Sequence, residues 1–171
     1  MSEVSDIPEA DWMVWRSFVA MRRQVDRALE HQLQTDAGVS VPDFEILLAL
    51  FKAADNQLRG KELGELLGWE KSRVSHQVTR MVARGLVERR ECPTDLRGSW
   101  VVLLPEGRRA VLTASRGNAV ELRRIFFDVL SEEEKRTIGA LSERILERIS
   151  PSACARAEEI LSGESERLAA S

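Results

Sequence analysis

A chain of 171 residues, 43% hydrophobic and 31% charged, is long enough for one well-buried core and short for two, and its helix-favouring Ala, Leu, Glu and Arg point to a mainly α fold. No apolar run approaches the roughly 18–20 residues that cross a bilayer, and the acidic start "MSEVSDIPEADW" lacks the order of a secretory signal, so a membrane location is excluded and the cytoplasm expected. The net charge of −3 is unevenly spread: residues 1–57 carry −5, residues 111–171 carry −2, and residues 58–110, with eleven bases against seven acids, carry +4. A basic middle between acidic flanks is the pattern of a chain that meets a polyanion through its middle only.

From Asp11 to about Thr35 the apolar positions Trp12, Trp15, Phe18, Val19, Val25, Leu29 and Leu33 recur at three- and four-residue steps, which predicts one long helix. Ser40 with Asp43 forms a capping-box start, and Pro42 is tolerated in the first turn of a second helix through "FEILLALFKA". "ADNQ" reads as a loop. "LRGKELGELLG" predicts a short amphipathic helix closed by Gly68, followed within one or two residues by "EKSRVSHQVTRMVARG". In that next helix Val74, Val78, Met81 and Val82 share one face, and Lys71, Ser72, Arg73, Ser75, His76, Gln77 and Arg80 are assigned to the opposite one. "LVERRE" and "WVVLL" predict two strands of a hairpin with the long polar tip "CPTDLRGS". A long helix is expected from Pro105 to about Leu130, weakened at Gly117, and a last one after the Ser131–Glu134 capping box, striped by Ile138, Leu141, Ile145 and Ile149.

A short helix, a tight turn and a second helix with a polar, basic outer face fit a helix-turn-helix whose second helix enters the DNA major groove. Arg pairs bidentately with guanine and Gln with adenine, while Ser and Lys hold phosphates, so Ser72, Arg73, Ser75, His76, Gln77 and Arg80 are the expected readers and Arg59 and Lys61 join them as DNA-binding candidates. The basic hairpin that follows, with Arg89, Arg90 and Arg97, makes the unit a winged helix. At its tip Arg97 suits the narrow minor groove, with Asp95 holding the guanidinium by a charge-assisted pair.

"LGELLGWEKSRVSHQVTRMVARGLVERRECPTDLRGSWVVLLPEGRRAV" resembles the core of the MarR family of bacterial transcription regulators, and the resemblance extends more loosely from Trp12 to about Ile149. It implies a winged-helix homodimer, with helices over 11–36 and 105–150 forming the dimerisation region, a DNA-binding lobe over 42–104, and a partly helical or frayed extension over 151–171. It also implies a repressor on a pseudo-palindromic operator, with Arg97 and Asp95 in the wing roles. Ligands of similar regulators, often aromatic acids or phenols, imply a small-molecule site, for which Trp12, Trp15, Arg16 and Phe18 supply aromatic walls and a cation; the same stripe also reads as dimer core. Two departures concern helix starts: Glu70 stands where Ser or Asp is usual, and Leu104 where Thr usually precedes Pro105; neither is a good cap.

An enzyme would have to start from Ser75–His76, but consecutive helical residues point about 100° apart and no oxyanion loop surrounds them, so no catalytic residue is expected. His31, His76, Cys92 and Cys154 stand at no metal-ligand spacing, and no metal or cofactor is expected. The alternatives kept are a metal-responsive or redox-responsive regulator of the same fold, the latter through Cys92 beside its arginines, and a dimeric interaction module without specific DNA binding.

Overall fold

The computed structural model describes residues 7–92 and 95–149, and at 92 and 95–98 the backbone only. The chain divides into two compact units, one ending at Ile125 and the other beginning at Phe126. The first contains α1 (Glu9–Ala37), α2 (Val41–Lys52), β1 (Gln57–Arg59), α3 (Gly60–Leu67), α4 (Lys71–Ala83), β2 (Val87–Cys92), β3 (Asp95–Leu103) and α5 (Pro105–Ile125). In the second, a short 3-10 turn at Phe127–Val129 precedes α6 (Glu132–Ile149).

Local chemistry sets most of these boundaries where the sequence predicts them. α1 ends at Gly38, whose φ of 62° is left-handed, with its N–H donating to the Gln34 carbonyl. The Ser40 hydroxyl accepts from the Asp43 N–H at 3.3 Å while the Asp43 carboxylate accepts from the Ser40 N–H at 2.9 Å, which is the expected capping box. Gly68, at φ 65°, closes α3. α4 starts at Glu70 without a side-chain cap, as expected for Glu at that position. At α6 the Ser131 hydroxyl accepts from the Glu134 N–H and the Glu134 carboxylate from the Ser131 N–H.

Three features differ from the sequence reading. The "ADNQ" loop and the start expected for the next helix instead contain a 3-10 turn, Ala54–Asn56, and the strand β1, which pairs antiparallel with β3 through Leu58 opposite Val101. A three-residue strand is too short to show alternation. The polar tip is shorter than expected, because β3 runs back to Asp95 and absorbs a shift in register between Glu91, opposite Ser99, and Cys92, opposite Asp95. The helix expected to reach about Leu130 stops at Ile125, where Phe126 leaves helical backbone (φ −127°, ψ −62°) ahead of the Ser131 cap.

The sheet order is β1-β3-β2, and one face covers the core. Ile46, Leu47 and Leu50 of α2 meet Leu63 of α3, Val74, Val78 and Met81 of α4, Val87 and Val101 of the sheet, and Val111 of α5. Full burial of each such side chain contributes about 1.5–3 kcal/mol, so this cluster fixes α4 on its apolar side and leaves the other side free. α1 packs along α5. Gly117 does not interrupt α5: a Cβ there would sit 2.1 Å from the Gln32 Nε2 of α1, so the glycine admits the crossing side chain.

Candidate nucleic-acid interface

The first three turns of α4 present Lys71, Ser72, Arg73, Ser75, His76, Thr79 and Arg80 to solvent, opposite the buried Val74, Val78 and Met81. The Arg73 guanidinium stacks 4.0 Å from the centre of the Trp69 ring, in the turn between α3 and α4. On α2, burial pushes the Glu45 carboxyl above its ordinary value, and the charge of Arg73 opposes the shift without cancelling it. Arg73 is thus stacked on an indole, and its charge is felt by a carboxyl of α2, before any ligand arrives.

Ser75 and Thr79 are tied to the base of the hairpin. The Arg89 guanidinium on β2 donates to the Ser75 carbonyl at 3.0 Å and to the Thr79 hydroxyl at 3.1 Å, and Thr79 in turn donates to the Ser75 carbonyl at 2.9 Å. These bonds couple the hairpin to the exposed face of α4. Arg59 lies over the Trp100 ring at 5.1 Å, and Lys61 faces Glu65 at 3.6 Å on the exposed side of α3. A cleft of about 630 Å³ opens among Arg59, Lys61, Trp69, Lys71, Ser75 and Arg89, so five polar or basic groups of α3, α4 and the sheet converge on one side.

The placement of Gln77 needs correction. It does not stand on the outer face: its side chain is 4% exposed and donates to the Asp43 carboxylate at 2.6 Å. The phase of the helix carried this signal, since Gln77 lies three residues from Val74 and four from Met81, inside the apolar stripe. Asp43, itself 2% exposed, also accepts from Arg84 at 2.6 Å, and Arg84 donates onward to the Gly38 carbonyl at 2.5 Å. Burial pushes the Asp43 carboxyl up, but hydrogen bonds from the Ser40 backbone, Arg84 and the Ser40 hydroxyl, together with the Arg84 charge, outweigh it and hold it below its ordinary value.

The wing roles expected of Asp95 and Arg97 fall on side chains outside the described residues; their backbone belongs to β3. The side chain of Cys92 and the whole of Cys154 also lie outside them. On α1, Trp12, Trp15, Arg16 and Phe18 are all exposed; Trp15 and Phe18 stack with ring centres 5.9 Å apart, and Arg16 pairs with Glu9. A cleft of about 500 Å³ lies farther along α1, among His31, Gln32, Asp36, Arg116 and Glu121, and none of those four residues lines it. Among the described residues no cluster of three or more His, Cys, Asp or Glu is placed to hold a metal ion, and no helix is long and apolar enough to cross a membrane.

Residues 37–98, which contain this face, match the family model of the MarR family. No curated protein sequence matches the chain significantly. Among solved structures, the chain is similar to Sco3205, a MarR family transcriptional regulator from Streptomyces coelicolor solved in complex with DNA: 29% identity, 90% of this chain and 96% of that one covered, TM-score 0.78. AbsC, a second MarR family regulator from the same organism, gives 28% identity, coverage of 89% and 99%, and a TM-score of 0.76. A mutant of Escherichia coli MarR complexed with operator DNA shares the fold at 22% identity, with coverage of 83% and 99% and a TM-score of 0.69.

Proposed function

We propose that the chain, whose residues 37–98 match the MarR family of transcriptional regulators, is a member of that family and binds duplex DNA sequence-specifically, as a homodimer on a pseudo-palindromic operator, and represses transcription. The observation that carries the reading is the exposed polar face of α4, set beside a hairpin in the one segment of net positive charge. A major groove about 12 Å wide admits such a helix. Ser72, Arg73, Ser75 and His76 then meet base edges, Arg80, Arg59 and Lys61 meet phosphates, and Arg97 enters the minor groove with Asp95 as its support. Gln77, buried against Asp43, is no longer among the readers. A small aromatic or phenolic ligand at Trp12, Trp15, Arg16 and Phe18 would release the operator.

Selection of bound duplexes from a random pool tests this directly. A two-fold symmetric consensus with half-site centres about 34 Å apart is expected. No enrichment over random sequence would leave an interaction module in its place. Arg97→Ala should weaken the selected site and lower the salt slope by about one; an unchanged affinity and slope would remove the wing from the interface.

A further inference from the structure

We infer that Asp43 and Gln77 form a buried relay that holds Arg80 in its DNA-binding conformation, making Gln77 a positioning residue rather than a reader. The inference rests on the DNA-binding reading of α4 given above. Arg80 is exposed, yet its guanidinium donates to the Gln77 Oε1. The same amide donates through Nε2 to the Asp43 Oδ1 at 2.6 Å, so the orientation of the amide is fixed at both ends. Asp43 is itself held by several donors. Its other oxygen accepts from the Ser40 N–H and the Ser40 hydroxyl, both at 2.9 Å, and from Arg84 at 2.6 Å. The amide thus lies between a carboxylate and a guanidinium, where each bond polarises the next.

The arrangement has a clear consequence for binding. A free arginine loses rotamer freedom when it takes hold of a phosphate, and an arginine already seated by its neighbours has less to lose. The relay also starts at the capping box of α2 and, through Arg84, touches the Gly38 carbonyl that follows α1. Arg80 is therefore positioned from the α1–α2 junction, on the far side of α4 from the proposed DNA.

A double-mutant cycle on the full chain separates positioning from contact. Wild type, Gln77→Met, Arg80→Ala and the double variant are titrated against the selected operator and against random duplex, at a temperature well below the unfolding midpoint of all four. Gln77→Met is expected to weaken both DNAs alike, by about three- to tenfold, and to change nothing once Arg80 is Ala. An equal loss in both Arg80 backgrounds, a loss confined to one base pair of the operator, no loss at all, or an Arg80→Ala variant that binds like wild type would each overturn the relay. Failure of the wild-type chain to select any DNA would instead overturn the DNA-binding reading, so the two failures are distinguishable.

Discussion

At the scale of single residues, Asp43 holds the most together. Its carboxylate caps α2, receives Gln77 from α4 and Arg84 from the residue just after it, and is almost wholly removed from water. Replacing it by Ala strands the buried Gln77 amide and the part-buried donors of Ser40 and Arg84 at once, and about 3 kcal/mol of stability should be lost. Because its pKa in the folded chain is depressed, the stabilisation is fully present above the unfolded-state value near ~3.9 and is lost as pH falls through the folded value. Urea midpoints of wild type and Asp43→Ala should therefore differ constantly from about pH 5 to 7 and draw progressively closer as pH falls below about 4; a gap as wide at pH 3 as at pH 7 would show that the charge of Asp43 is not what stabilises. The sequence discloses only half of this residue. Ser40 three positions earlier marks the cap, because capping is local; Gln77 and Arg84 lie 34 and 41 residues away, and only the folded chain brings them together. For the same reason Gln77 reads as a reader until its place in the helix phase is weighed against its polarity.

Among the elements, the start of α5 is packed closely against backbone. A Cβ at Gly107 would lie 2.1 Å from the Leu86 carbonyl oxygen, 2.9 Å from Leu103 Cδ1 and 3.0 Å from Leu47 Cδ2, so helix, hairpin and α2 converge on a position that only hydrogen fits. Gly107→Ala should cost about 2 kcal/mol despite the better helix propensity of Ala, because backbone cannot move aside as a side chain can. Gly139, within α6, has nothing within 4 Å of the same atom, and Gly139→Ala should stabilise by up to about 1 kcal/mol. Thermal midpoints moving in opposite directions would bear out this contrast; two shifts of the same sign would not. The helices were legible because their stripes run long and their stops are glycines or capping boxes, as at Gly38, Gly68 and Ser131. β1 was not, since three residues hold no period and its strand character comes from the pairing with β3. The length of the hairpin was underread because turn-forming residues in "CPTDLRGS" do not prevent backbone pairing once a register shift takes up the extra chain.

For the molecule as a whole, charge and exposed apolar surface were both legible in the sequence, and they divide the labour between the middle and the ends. The +4 segment holds α3, α4 and the hairpin, while the acidic remainder repels a polyanion everywhere else. The apolar stripe of α1 leaves Trp12, Met13, Trp15 and Phe18 exposed, and that of α6 leaves Leu141, Ile145 and Ile149 exposed. Surface of this kind calls for cover, and a second copy of the chain supplies it in the homodimer proposed above. Two coupled DNA-binding lobes would hold a symmetric operator far more tightly than either alone, by as much as about 10²-fold or more, because the second lobe binds at a high effective concentration. Trp15→Glu and Ile145→Glu place a charge in each stripe and should shift the mass in solution from dimer to monomer. The same variants should lose affinity for the full operator while keeping most of their affinity for an isolated half-site. Sedimentation equilibrium at micromolar concentration reads the first effect and titration of the two duplexes the second; a wild-type chain that sediments as a monomer would remove the dimer and leave each lobe to bind alone.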